Sequence, residues 1–229
     1  MEIKPIYAQT KVELFINQVE SWIFSGQLKP GESLPSERDL ATKMNISRSV
    51  VNSGLNYLAD LKLVTIIPQK GSVVNDYFKN GDLRTLNELL NYTNGNYDPN
   101  LLKAMYAARK LVEGEIIRIV SNKLTKSQAA FLHNLVDDFT SSNQRLGEFL
   151  YLFFHQLAID SGNIVYPLLI SSFHQVYVVL GNWNSQQQGK AKITRLNHQL
   201  VDQISAHQTK EALKLHNELV EWSLKDLLR

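Results

Sequence analysis

The sequence contains no cysteine, which excludes disulfides, thiolate metal sites and thiol nucleophiles. Glycine and proline are sparse, 11 and 6 among 229 residues, too few for a fibrous or low-complexity chain. No apolar run approaches the ~18 residues that a membrane span needs. The amino terminus MEIKPIYAQT lacks the apolar core of a signal peptide, so a cytoplasmic protein with no membrane partner is expected. A charge excess is missing too. The net charge is +2, with nine Lys/Arg against eight Asp/Glu through residue 80 and 15 against 14 beyond it. A nucleic-acid partner would therefore have to be met by local placement of charge. No P-loop, no G-x-S-x-G element and no plausible pair of catalytic carboxylates is present, so neither enzyme activity nor a cofactor is expected.

What the chain does have is helical periodicity. TKVE (10–13) has the form of a capping box, and Val12, Phe15, Ile16, Val19, Trp22 and Ile23 follow at three- and four-residue spacing. Gly26, Pro30, Gly31 and Pro35 then break the helix. Ser36 is placed to cap a short helix with Glu37 and Asp39 in its first turn. Asn45-Ile46 makes a turn, and Ser47 is placed to cap a third helix reaching about Asp60. Two β-rich runs, LVTII (63–67) and SVVN (72–75), flank Pro68-Gln69-Lys70-Gly71 and predict a hairpin. The order helix, helix, tight turn, helix, hairpin is that of a winged helix-turn-helix.

Beyond residue 80 helical patterns succeed one another. DLRTLNELLNY (82–92) is amphipathic, TNGNYDPN is a turn, and Asp98-Pro99 opens a helix to about 122. Further helices are predicted from the capping box TKSQ (125–128) to about Thr140, over FLYLFFHQLAI (149–159), and through Tyr166–Trp183, Ala191–Ala206 and Lys210–Leu228. The fold class is thus mainly α: a winged helix-turn-helix at 1–78 and an antiparallel bundle of six or seven helices at 79–229.

A recognition helix puts its amino-terminal residues against base edges in the major groove. Ser47, Arg48, Ser49 and Asn52 occupy that first turn and a half. Arg48 has the chemistry to pair with guanine and Asn52 with adenine. The alternative is a helix whose Ser47 merely caps and whose Arg48 is solvated. Arg38 on the preceding helix and Lys70 at the hairpin tip, beside Gly71, add cations on converging elements.

The stretch LKPGESLPSERDLATKMNISRSVVNSGLNYLADLKLV resembles the DNA-binding domain of the GntR family of bacterial regulators. The resemblance covers about residues 10 to 75 and implies that Arg38, Arg48 and the wing-tip glycine contact DNA. This chain departs from the family pattern twice, with Asn52 where an arginine is usual and Gln69 where the first of two wing glycines is usual. The helical remainder resembles the effector domain of the FadR subfamily through QLAIDSGNIVYPLLISSF, with its Ser-Gly-Asn junction at Asn163, and through Arg109 and Glu113 in AARKLVEGEIIRIV. VNDYFKNGDLRTLNELLNY is similar to the linker of its fatty-acid-responsive members.

Many members of that subfamily hold a divalent metal with one Asp and three His. Alignment on Ser-Gly-Asn puts Leu150 and Phe154 at two of those places, His198 near a third, and His216 about one turn before the last, where Leu219 sits. No metal is therefore expected there, and a cluster of His155, His198 and His216 is disfavoured. The resemblance implies a long-chain acyl-CoA as one candidate effector, with Tyr177 and Trp222 where ligand-adjacent aromatics fall and Phe154 in an apolar interior. Glu218 beside a polyanionic CoA speaks against it. Arg109, among Ala107, Ala108, Leu111 and Val112, needs an anion if it points inward, either Glu113 or the carboxylate of a small organic acid. Arg109, Phe154, Asn163, Tyr177, His198 and Trp222 are the candidate effector residues. A homodimer on a palindromic operator, or a constitutive DNA binder with no effector, completes the expectations.

Overall fold

The computed structural model describes residues 8–93, 97–183 and 187–227, which fold as two compact units, 1–94 and 95–229. The first unit begins with α1 (Lys11–Phe24). Its capping box is complete: Thr10 Oγ1 accepts from the Glu13 N–H at 3.2 Å, and the Thr10 N–H donates back to Glu13 at 2.7 Å. Phe15, Ile16, Val19 and Ile23 form the buried stripe that the spacing predicts. α2 (Glu37–Lys43) and α3 (Arg48–Asp60) follow, each with a serine cap, and Asn45 turns between them with a φ of 51°. α3 crosses α1 at Gly54, where a Cβ would fall 2.2 Å from the Phe15 ring. Val51, Leu55 and Leu58 close the core behind that crossing.

β1 (Val64–Ile67) and β2 (Gly71–Val74) make the antiparallel wing, in register from Val64 opposite Val74 to Ile67 opposite Gly71. The segment read only as a helix break does more. Ser33 bridges Val73, the Leu34 N–H donates to the Ser72 carbonyl at 2.8 Å, and the Val74 N–H donates to the Glu32 carbonyl at 2.9 Å. The loop thereby satisfies the outer edge of β2, which would otherwise stand open.

The compact unit extends past the boundary expected at residue 78. A four-residue helix, α4 (Tyr77–Asn80), which the pattern does not signal, leads to α5 (Leu83–Thr93). α5 packs on α1, with the Thr85 hydroxyl donating to the Leu61 carbonyl at 2.7 Å and Arg84 to the Asp60 carbonyl at 3.0 Å. An amphipathic helix needs a face to bury against, and α5 finds it here.

The second unit holds seven helices among the described residues: α6 (Pro99–Val120), α7 (Lys126–Ser141), α8 (Leu146–Asp160), α9 (Tyr166–Ser172), α10 (His174–Trp183), α11 (Gln187–Ser205) and α12 (Thr209–Leu227). The run expected as one helix from Tyr166 to Trp183 is two, broken at Phe173. The turn residues 94–96 and the expected helix end at Leu228 lie outside the described residues. α8 is the core: Phe149, Phe153, Phe154 and Leu157 are fully buried, each worth ~1.5–3 kcal/mol of burial. It meets α10 at Gly147 and Gly181, where a Cβ on Gly181 would lie 2.2 Å from the Gly147 backbone. No described helix is long and apolar enough to cross a membrane.

Candidate functional site

In the first unit all seven residues singled out from the sequence are exposed: Arg38, Ser47, Arg48, Ser49, Asn52, Lys70 and Gly71. Their roles divide. Ser47 is the cap, its Oγ accepting the Val50 N–H at 3.3 Å and lying 2.8 Å from Ser49 Oγ. Arg48 is the first residue of α3, directly beyond that cap. No ion pair among the described residues engages Arg38, Arg48 or Lys70. Three solvated cations on α2, α3 and the wing suit phosphate and base contacts, because no internal carboxylate has to be displaced.

Asn56 was not signalled by the sequence reading. Its amide donates to Asn52 Oδ1 at 2.9 Å and to the Asn52 carbonyl at 2.9 Å. The two amides sit one turn apart on the exposed side of α3, a spacing of four that a close reading of N-x-x-x-N would have found. Asn52 keeps its amino group and one acceptor lone pair, the pair of functions that adenine requires. At the wing tip Gly71 has a φ of 94° and Gln69 a φ of 64°. Gln69 thus adopts the left-handed backbone that glycine takes most easily, at a cost of about 1 kcal/mol.

The first unit also buries a carboxyl. Glu20 on α1 is 6% exposed, and burial, then the Glu88 carboxylate, push its pKa up to about 7. Glu20 Oε1 has no hydrogen-bond partner.

In the second unit the sequence candidates scatter to different fates. Arg109 is buried on α6, and its Nε donates to Glu113 Oε1 at 2.8 Å. Of the two anions left open by the sequence, the internal one is in place. Glu113 is wholly buried and gathers two more donors, the Tyr177 hydroxyl at 2.6 Å and His216 Nε2 at 2.7 Å. The Arg109 guanidinium also lies 4.4 Å from the centre of the Tyr177 ring. Phe154 walls the group, 5.6 Å from the His216 ring and 6.2 Å from that of Tyr177.

The electrostatics follow from this packing. Burial works to raise the Glu113 carboxyl, but the Arg109 charge and the His216 hydrogen bond outweigh it and hold it below the usual range. Burial works to lower Arg109, yet Glu113 keeps it above its ordinary value. Burial and the Glu113 charge both push the Tyr177 hydroxyl well up. One group stays unpaired: His216 Nδ1 is buried without a partner. A buried polar atom left without a partner costs roughly 1–3 kcal/mol.

The structure thus brings Arg109, Phe154 and Tyr177 together and leaves the other three candidates elsewhere. Asn163 is exposed, and its Oδ1 accepts the Val165 N–H at 2.9 Å, a local turn bond just ahead of α9. Trp222 is half-buried on α12 under the Lys192 ammonium, 4.2 Å from the ring centre. His198 meets His133 across α7 and α11. The disfavoured histidine cluster does not form, because His155 lies against Tyr151 while His198 and His216 have the separate partners just named. Leu150 and Phe154, at two of the places the resemblance assigns to metal ligands, are buried and apolar and offer no donor atom. Beside Leu215 and Glu218 an open hollow of about 290 Å³ is lined also by Glu211, Lys214, Gln199 and Gln203.

Comparison with known proteins gives matches over both units. The family model described as "Bacterial regulatory proteins, gntR family" matches residues 15–74, and "FadR C-terminal domain" matches residues 75–221. The chain is 28% identical over 162 residues to a protein of Shewanella pealeana named "Fatty acid metabolism regulator protein", covering 70% of this chain and 66% of that one. It is 25% identical over 224 residues to "HTH-type transcriptional regulator Mce2R" of Mycobacterium tuberculosis, covering 96% and 93% of the two chains. Among solved structures, one reported with the description of Lar in control of the Listeria monocytogenes agr system aligns with a TM-score of 0.66 at 14% identity, over 98% of this chain and 99% of that one. That likeness shows the fold.

Proposed function

Because the chain belongs to the GntR family of bacterial regulatory proteins, with a FadR C-terminal domain, we propose that it regulates transcription as a homodimer on a palindromic operator, its affinity for DNA set by an effector in the helical unit. DNA binding and transcription regulation belong to the family; the dimer, the palindrome and the effector are our reading. The observation that carries it is Arg48, exposed and unpaired beside a capped helix start. α3 enters the major groove, Arg48 takes a guanine, and Asn52, steadied by Asn56, takes an adenine. Arg38 and Lys70 hold the phosphates.

The relatives named for fatty acid metabolism make a long-chain acyl-CoA the first effector candidate. An effector shifts operator affinity only by binding one arrangement of the dimer better than the other. A constitutive binder is the second reading, and it has a specific support: Glu113 already supplies the anion that Arg109 needs, so no ligand is required to complete the interior.

Two measurements test this. Selection from random duplexes should yield a palindrome with one conserved guanine per half-site that Arg48→Ala no longer requires. Thermal unfolding against acyl-CoA, free fatty acids and small hydroxy acids tests the effector, since a ligand at ~100 times its Kd stabilises by about 2.7 kcal/mol. No response to any of the three favours the constitutive reading.

A further inference from the structure

α5 holds the carboxyl end of α3 through three side chains. The Tyr57 hydroxyl of α3 donates to Glu88 Oε1 of α5 at 3.3 Å. Arg84 and the Thr85 hydroxyl donate to the carbonyls of Asp60 and Leu61, where α3 ends, at 3.0 and 2.7 Å. On its other side α5 packs on α1, where the hydroxyls of Ser21 and Tyr92 lie 3.4 Å apart. Glu20, next to Ser21 on α1, is 6% exposed, and its titratable neighbours are Tyr57 from α3 and Glu88 from α5. A buried carboxyl thus stands where three helices meet, two of them joined through Glu88.

This junction has acceptors and no free cation to match them. Glu20 Oε1 is buried without a hydrogen-bond partner, and so is Asn87 Oδ1 on α5. No ion pair among the described residues engages Glu20 or Glu88. An open hollow of about 290 Å³ is lined there by Tyr57, Asp60, Leu61, Arg84, Asn87 and Glu88. Arg84, the cation among them, is committed to Asp82 at 2.9 Å and to the Asp60 carbonyl. Burial, then the Glu88 charge, push the Tyr57 hydroxyl up, so it remains a donor through the neutral range. Glu20 can therefore sit comfortably in the junction only as a neutral acid. Ionised, it would lose its water and meet the Glu88 charge across the helix interface.

We propose that α5 is a proton-dependent clamp on the carboxyl end of α3, closed while Glu20 keeps its proton and loosened once Glu20 and Glu88 are both charged. When α5 lifts from α1, Glu20 meets water and returns to the ordinary carboxylate range. Docked, its pKa is about 7. Docking therefore takes up a proton, and it weakens as the pH climbs from the ordinary carboxylate range to about 7. Where α3 reads an operator, a loosened clamp frees one end of the reading helix, and operator affinity falls over the same pH range. That consequence rests on the proposed function, whereas the clamp itself does not.

Amide hydrogen exchange of the full chain, corrected for the intrinsic pH dependence of exchange, reads the opening of α5. Between pH 5 and pH 7 its opening equilibrium should rise about 100-fold, roughly tenfold per pH unit, while the buried amides of α3 change far less. Glu20→Gln should keep α5 closed at both pH values, and Glu88→Gln should move the midpoint to lower pH. Circular dichroism confirms that both variants fold. Opening of α5 that ignores pH in the parent, or follows it equally in Glu20→Gln, overturns the clamp. Equal loss of protection over α1, α3 and α5 does so too, because Glu20 would then act on global stability alone. Operator binding at the same two pH values separates the clamp from the proposed function. Binding that weakens in the parent and not in Glu20→Gln supports the clamp, whereas no binding at either pH sinks the DNA reading and leaves the exchange result to decide the clamp.

Discussion

Arg48 opens α3 and Arg109 sits midway along α6, and the two units treat these arginines in opposite ways. Arg48 stands in solvent without an ion-pair partner, whereas Arg109 is 3% exposed and held by Glu113 at 2.8 Å. The first unit leaves Arg38, Arg48 and Lys70 outside any ion pair among the described residues, so that surface is available to a polyanion. The second spends charge inside, where a buried pair is maintained only because every strong donor finds the same carboxylate. An arginine is therefore a contact residue or a structural one according to where the helix faces, and the residue type does not say which.

The contrast breaks first, and with the largest effect, at Glu113. Glu113→Gln removes the counter-charge from a buried guanidinium and should cost about 3–5 kcal/mol in urea unfolding. A loss below about 1 kcal/mol would mean that the interior is wetter than the packing indicates. Acid should act in the same direction. The folded Glu113 carboxyl lies below its ordinary value, so its stabilisation is present above the ordinary carboxylate range and disappears as the pH falls through the folded value.

Glu20 is the exception inside the first unit, and it has the opposite sign. A carboxyl raised to about 7 keeps its proton on folding. Its cost is absent below the ordinary carboxylate range, grows with pH, and is complete above about 7. Glu20→Gln should then stabilise by about 1–3 kcal/mol at pH 8 and hardly at all at pH 4. A pH-independent gain would assign the effect to packing.

Arg48→Ala should lose about 1–3 kcal/mol of specific operator affinity with unchanged unfolding. Unchanged affinity would return Arg48 to the solvated role that the sequence left open. The smallest effect belongs to Lys70→Ala at the wing, expected to lower the salt dependence of binding by about one counterion while preserving sequence preference. A change of preferred sequence instead would make the wing a base reader.

The helical periodicities, both capping boxes and the serine caps of α2 and α3 were legible because each depends on residues three or four apart. The hairpin was legible for the same reason, since its two runs are joined by a four-residue tip. Less legible was the loop of Pro30–Pro35, which gains its β-bridge only when the wing lies beside it. α5 reads equally well as a linker or as part of either unit until its apolar face meets α1. The meeting of His133 with His198 escaped notice because the two lie 65 residues apart in the chain.

By itself the sequence determined the mainly helical class, the winged helix-turn-helix and the exposed cations of the first unit, since local hydrogen bonds and turn chemistry dictate them. Only the tertiary structure decided which anion Arg109 holds, which histidines meet, and where the first compact unit ends. Those depend on contacts between helices distant in the chain, whose geometry is set by the packing of the whole core and by no local pattern.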